Sequence, residues 1–374
     1  MKISSRNLSC LILGLQLACL AVYPADQPAA KQFTVVKELW RTPAKSQGSS
    51  NTCWCFSTTS FLESEAHRRG RGDFELSQMF TVYQAYQEKA LRYVRRQGKD
   101  QFGMGGLAHD VLYFMRRHGA VPRSDYLGLP AGATDYDQRE LFRGLAGILD
   151  TLVKTRTVDM RWQGDQLESK WGEGFRGMLE AYMGKPPSEV RYQGNTVSPR
   201  QFANEVLAIP YDDYVEVTSY SEWPFYQQGE LLLADNWLHY DHYYNVPLEE
   251  FIQIIDHALA NGYSLVFDLH LIPGAYSDKR GYGSLPADEN GSLITQDVRN
   301  TWLESWETYD DHLEHAVGTA RDEQGKKYYL LKDSVNINDK PFQYISENYV
   351  RGKVLFFMVH KDGIPPAVRQ KLGL

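Results

Sequence analysis

Gln47-Gly-Ser-Ser-Asn-Thr-Cys53-Trp54-Cys55-Phe56-Ser57 places a cysteine six residues after a glutamine, at the threshold of a segment with helical periodicity. Phe56, Phe61, Leu62 and Ala66 recur at three-to-five-residue steps, acids precede bases, and Gly70 closes the run, so the spacing predicts a helix over Ser57 to Arg69. A free thiol is mostly protonated near neutral pH, so a nucleophilic cysteine needs a positive field and a neighbouring base. The start of a helix supplies the field. Gln47, in a Gly/Ser-rich loop, can aim its amide donor at an oxygen that becomes negative during acyl transfer. The same residues also fit a plainer role, with Cys53 and Cys55 as small core residues at a helix start. The local segment leaves both readings open.

Gln-x5-Cys-Trp-x-Phe-Ser resembles the nucleophile motif of papain-like cysteine peptidases, and Gln47, Cys53, Trp54, Phe56 and Ser57 complete it. Cys55 stands where papain relatives carry a small residue, which makes Cys53 the nucleophile and Cys55 a packing residue. Further segments resemble the bleomycin hydrolase and aminopeptidase C branch, in its short bacterial form. They are Leu76-Ser-Gln-Met-Phe80, Tyr244-Asn-Val-Pro-Leu-Glu-Glu250, Thr308-Tyr-Asp-Asp-His312 and Val359-His-Lys-Asp-Gly-Ile-Pro365. The resemblance runs from about residue 35 to the C-terminus. It implies an α+β, two-lobe papain-like fold with helical insertions. A helical lobe at about 45–260 would carry the nucleophile, an antiparallel sheet lobe at about 261–360 the histidine, and 361–374 would form a C-terminal arm.

A thiol nucleophile needs an imidazole to hold its proton and pass it to the leaving amine, and the chain has ten histidines. The papain pattern starts a strand at the histidine and reaches a glycine six residues later, which His312 and Gly318 match. His315 would face the other side of that strand and pack beneath the site. The third member departs from the pattern. After Lys327-Tyr-Tyr-Leu-Leu-Lys332, papain relatives carry Asn-Ser-Trp-Gly; this chain has Asp333-Ser334-Val335-Asn336. Asp333 can accept a hydrogen bond from the imidazole Nδ1–H, and its charge should raise the histidine pKa. Loss of the indole at Val335 should admit water. The competing expectation is an inactive homologue that serves as a peptide-binding scaffold.

Gly103-Met-Gly105-Gly106 precedes a predicted helix over Leu107 to His118 and resembles the glycine pair that lines the substrate cleft, so Gly105 and Gly106, with Trp54, are candidate substrate contacts. Trp237 and His239 to Tyr244 fit either a cleft wall or a core cluster. In the bleomycin hydrolase branch the C-terminal arm lies in the cleft, and its carboxylate holds the substrate's free amine. That resemblance implies such a role for Leu374 and an aminopeptidase activity. It also implies a hexamer, so a homo-oligomer is expected.

The 374 residues, 43% of them hydrophobic, suffice for two lobes, and a net charge of -7 without a basic stripe excludes nucleic acid as a main partner. Peptide is the expected partner, no cofactor is expected, and Asp310, Asp311 and His312 lack a second ligand pair at metal spacing. Lys2 and Arg6 precede an apolar run from Leu8 to Tyr23, about 16 residues and short for a membrane span. The segment 1–25 therefore reads as a secretory signal, with cleavage after Ala21 or Ala25. A lipoprotein signal that anchors Cys19 is the rival. Either way the protein would be exported, to a bacterial periplasm or outer surface, without Cys10.

Elsewhere, Phe33 to Thr42 reads as a strand. Met79, Phe80, Tyr83, Tyr86, Ala90, Tyr93 and Val94 give a helical stripe closed by Gly98, and 135–185 is mostly helical. Phe251 to Leu259 forms an amphipathic helix that ends at Asn261-Gly262. Ser264 to Leu271, His312 to Ala320, Lys327 to Lys332 and Val354 to Val359 read as strands.

Overall fold

The nucleophile segment forms a helix, Cys53–Arg68, that begins on the cysteine itself. In this computed structural model the described residues are 31–374, apart from 131, 157, 160, 164–165, 278–279 and 336–341. The targeting segment, Cys10, Cys19 and Asn336 lie outside them. Against the nucleophile helix pack Gln78–Arg95 and Ala108–His118, and onto Gln78–Arg95 pack Arg139–Thr155 and Lys170–Met183. Ser77 caps the first of these through its side chain, and Ser169 the last.

Among the described residues, eleven strands make one sheet. At its centre lies His312–Asp322, antiparallel to both Leu265–Leu269 and Lys327–Lys332. Val354–His360 follows on the Leu265–Leu269 side, then Tyr214–Thr218. Phe33–Glu38 pairs with the far half of His312–Asp322. Gly318 lies where the two strands cross: a Cβ there would collide with the Lys37 carbonyl, and the Leu39 N–H already donates to Val317 O at 2.8 Å. The glycine six residues after His312 is therefore a packing requirement of this crossing.

The two faces of the sheet bury separate cores. Along Leu265–Leu269, Val266 joins the helical core, whereas Leu265, Phe267 and Leu269 point to a second core beneath the helix Leu248–Ala260. This alternation is that of a strand buried on both faces.

Two boundaries need correction. The helical lobe does not extend to 260, because Tyr214–Thr218, Tyr243–Asn245 and Leu248–Ala260 belong to the sheet and its second core. The strand Tyr-Val-Glu-Val-Thr is interrupted by a carboxylate, which masks its apolar run. Glu216 is nevertheless buried, because the His109 N–H donates to one of its oxygens and His109 Nδ1 bonds the other, each at 3.0 Å. Burial opposes the imidazolium of His109, but Glu216 outweighs it and raises the His109 pKa.

The C-terminal segment is likewise not a free arm. Pro366–Leu372 is a helix with proline in its first turn; Val368 and Leu372 are buried in the second core and Leu374 packs against it. Lys371 pairs with Glu250 at 2.5 Å and Arg369 pairs with Asp362. Leu374 thus lies on the face of the sheet opposite the nucleophile helix, because Val368 and Leu372, one helical turn apart, cover the apolar surface of the second core.

Candidate active site

The loop before the nucleophile is fixed by its own backbone. Gly48 and Asn51 adopt left-handed conformations at φ 53° and 50°. At Gly48 a side chain would collide with the Tyr136 carbonyl, so only glycine fits. Ser50 Oγ donates to Gln47 O at 2.7 Å, and Ser49 N to Tyr136 O at 2.7 Å. These bonds deliver Cys53 to the first helical position, where its N–H has no partner within the helix and the macrodipole favours an anion.

Opposite Cys53 stands His312, at the first position of its strand and 5% exposed. Its Nε2 bonds Asp333 Oδ1 at 2.9 Å, and the imidazole also makes a side-chain hydrogen bond with Cys53, for which Nδ1 remains. The expected tautomer is corrected by this geometry: Asp333 engages Nε2, not Nδ1–H. The reason is the strand start, which turns Nδ1 toward the helix. Burial disfavours the imidazolium, yet the Cys53 charge and the bonds to Asp333 and Cys53 outweigh it and hold the His312 pKa well above its ordinary value. These contacts favour the protonated, imidazolium form of His312 beside Cys53.

Asp333 is itself anchored. Its Oδ1 accepts from Ser334 N at 2.6 Å and Val335 N at 3.0 Å as well as from His312. Ser334 then ties the other half of the site: its hydroxyl donates to Gln47 Oε1 at 3.0 Å, and Gln47 N donates to Ser334 O at 2.9 Å. With Oε1 engaged, the Gln47 amide presents its NH2 as the free donor. Ser334 was not singled out from the sequence; its place between Asp333 and Val335, in the segment aligned to Asn-Ser-Trp-Gly, was the signal to follow.

The expectation that Val335 leaves the imidazole wet does not hold, since Asp333 is only 3% exposed. Behind it lies Glu314, fully buried, with Oε1 at 4.0 Å from His312 Nε2 and accepting from Tyr276 Oη at 2.7 Å. His312, Glu314 and Asp333 bring one ligand atom each to within 4.8 Å of one another, a grouping the spacing did not suggest. The direct His312–Asp333 bond occupies the middle of that group.

His315 packs beneath the site as alternation requires. Its Nδ1 meets Ser60 Oγ at 2.8 Å on the nucleophile helix, and burial together with the nearby Lys332 lowers its pKa far below the usual value. It is a neutral structural group. Cys55 is fully buried with its thiol donating to Gln78 O at 3.2 Å, and burial pushes its pKa up to about 12. That thiol is chemically quiet.

The candidate substrate contacts separate. Trp54 is wholly buried; its Nε1–H donates to Met104 O at 3.0 Å, so it clamps the glycine loop and touches no substrate, because the loop covers its ring. Lys89, also missed in the sequence, holds the loop through the carbonyls of Gly103 and Gly105. A side chain at Gly106 would meet Asp110 Oδ2 at 2.7 Å and Trp54 at 3.0 Å; one at Gly105 would overlap the Asp235 carboxylate. Packing against the Trp54 ring thus requires glycine at 106, whereas at Gly105 only the end of the Asp235 side chain, which closes on it, stands in the way. Trp237 is core, donating from Nε1 to Asp110 Oδ2 at 2.6 Å. Leu374 lies across the sheet, so the expected reach of its carboxylate into this site is corrected.

A cysteine at a helix N-terminus, facing an imidazole that opens a long antiparallel strand, belongs to the papain-like cysteine-peptidase fold, an α+β class. No protein-family model matches the chain, and no curated protein matches it in sequence. Among solved structures, PepW from Lactobacillus rhamnosis HN001 is similar over 92% of this chain and 85% of its own, at 17% identity and a TM-score of 0.64. Bromelain from Ananas comosus, solved with the E64 inhibitor, aligns over 85% of this chain and 92% of its own, at 12% identity and a TM-score of 0.37.

Proposed function

We propose that the protein is a cysteine peptidase in which the Cys53 thiolate attacks a peptide carbonyl. His312 gives its proton to the leaving amine and then deprotonates the water that cleaves the thioester. The Cys53 N–H and the Gln47 amide hold the oxyanion, and Asp333 orients the imidazole. The observation that carries this reading is Asp333-Ser334, which bonds His312 with one residue and Gln47 with the next. Stoichiometric epoxide labelling of Cys53 near neutral pH, with cleavage of a peptide library, tests it. An unlabelled Cys53 and no cleavage would favour the peptide-binding scaffold.

The pH profile carries its own expectation. His312 must be protonated to serve the leaving amine, so activity falls as pH rises through its elevated pKa. Asp333→Asn removes one of the charges that elevate it. The basic limb of kcat/KM should therefore move to lower pH, and a limb that stays in place would contradict the role given to Asp333.

An aminopeptidase of bleomycin hydrolase type is the finer form of the proposal, but its anchor is not Leu374. Deleting Gly373 and Leu374 should leave the ratio of kcat/KM for free and acetylated N-termini unchanged within about twofold. A collapsed ratio would restore the terminal carboxylate to the site. The segment Lys2 to Tyr23 also supports export. Mass spectrometry of the secreted chain should find a start after Ala21 or Ala25, or a lipidated Cys19; an unprocessed Met1 in the cytoplasm would refute it.

A further inference from the structure

Glu314 has no role in the chemistry above, and a carboxyl group is unfavourable where it stands. It is completely buried on the strand that His312 opens, two residues on, so alternation puts both side chains on one face of the sheet. Across the ladder Glu314 pairs with Phe267, and Ala316, next on that face, pairs with Leu265. Phe267, Ala316 and Leu265 all belong to the second, apolar core. Packing alone would ask for a hydrophobic side chain at this position.

What the carboxylate meets is polar and belongs to the site. Its Oε1 accepts from Tyr276 Oη at 2.7 Å and stands 4.0 Å from His312 Nε2, the nitrogen that Asp333 Oδ1 engages at 2.9 Å. Tyr276 comes from the short strand Tyr276–Ser277 and is itself buried, so Glu314 is held from outside its own strand. Two carboxylates from different segments thus converge on one ring nitrogen. A movement of the ring by roughly 1 Å would bring Nε2 within hydrogen-bond reach of Glu314 Oε1.

Other charges surround the pair. Cys53 on the nucleophile helix and Asp333 after Lys327–Lys332 act on the imidazole. From the strand Leu265–Leu269 the buried Asp268 acts on Cys53, and Asp310 and Asp311 precede His312 on its own segment. Asp256, on the helix Leu248–Ala260, is paired with Lys327 at 2.6 Å, and Lys332 donates to Thr42 and Ser60 beside His315. None of these groups changes when Glu314 is replaced, so a substitution there isolates the effect of its own charge. A carboxylate at 4 Å favours the imidazolium over the neutral ring.

We propose that Glu314, held by Tyr276, is a positioning residue for His312: a second carboxylate behind Asp333 that keeps Nε2 turned away from Cys53 and takes up its N–H when the Asp333 side chain is removed. This rests on the cysteine-peptidase reading and deepens it. With Nε2 drawn toward two acids, Nδ1 stays directed at the Cys53 thiol, and a flip of the ring that would present the other nitrogen is disfavoured.

The test reads the imidazole directly, so that it does not depend on turnover. In the full chain carrying Cys53→Ser and isotopically labelled at histidine, the ring-nitrogen NMR shifts give the His312 pKa, assigned by the signal that His312→Ala removes. Adding Glu314→Gln should lower that pKa by about one unit or more, because a negative charge beside the imidazolium is lost. Glu314→Met, which keeps the volume on an apolar face, serves for the titration if Glu314→Gln does not fold. With Cys53 in place, Glu314→Met also removes the acceptor, and it should lower kcat/KM about tenfold further in an Asp333→Ala chain than in a chain that retains Asp333. An unmoved His312 pKa, or losses at the two positions that multiply independently, would overturn the inference. So would failure of both Glu314 variants to fold, which would assign the residue to the fold alone. A His312 pKa that falls as expected in a chain whose wild-type form cleaves nothing would instead refute the peptidase reading and leave the coupling of Glu314 to His312 standing.

Discussion

Replacing His312 by alanine should lower kcat/KM for peptide hydrolysis by on the order of 10³-fold, within the range general acid–base groups contribute, and should abolish epoxide labelling of Cys53 near neutral pH. Two losses combine. The protonated imidazole beside Cys53 disappears, and with it the group proposed to take up the thiol proton. The leaving amine also loses its proton donor. His315, one turn of alternation further along the strand, cannot substitute, because its Nδ1 is held by Ser60 and burial keeps it neutral. A His312→Ala chain that labels at the wild-type rate would show that Cys53 is activated by something else. Asp333→Ala should give a smaller loss, since the imidazole would remain beside Cys53 without its orienting partner.

Gln47→Ala should reduce kcat by about 10²–10³-fold while leaving alkylation of Cys53 by iodoacetamide at its wild-type rate. The contrast is diagnostic because alkylation builds no oxyanion, whereas amide hydrolysis does. Gln47 is buried, its N–H and Oε1 are both engaged by Ser334, and only the amide NH2 remains to face developing charge. Equal losses in both assays would mean that the substitution had moved Cys53, and no loss in either would remove Gln47 from the mechanism. Ser334→Ala should reproduce part of the Gln47→Ala effect, since it frees the amide to rotate. That intermediate loss would report the coupling between the two halves of the site.

That coupling joins two halves that are nearly three hundred residues apart in sequence. PepW shares the fold at 17% identity, so the likeness speaks to the chain path and leaves the chemistry to the residues described here. The replacement of the usual Asn and Trp by Asp333 and Val335 does not open the site: the Asp333 and His312 side chains remain buried, with Glu314 and Tyr276 behind them.

The sequence by itself determined the elements that obey local rules. Lys327–Lys332 and Leu248–Ala260 follow from periodicity, and the nucleophile helix from its apolar steps and closing Gly70, because each is set by contacts within a few residues. The motif around Cys53 and the pairing of His312 with Gly318 likewise indicated which side chains to examine. Only the tertiary structure decided what those side chains meet. Tyr214–Thr218 escaped notice because its central Glu216 is stabilised by His109, a hundred residues away. Leu374 lies across the sheet because the end of Pro366–Leu372 covers an apolar face that the sheet leaves open. Asp268 reads as an ordinary acid until the assembled sheet buries it completely. Burial, pairing and unmet hydrogen-bonding capacity belong to the assembled molecule, and no spacing along the chain encodes them.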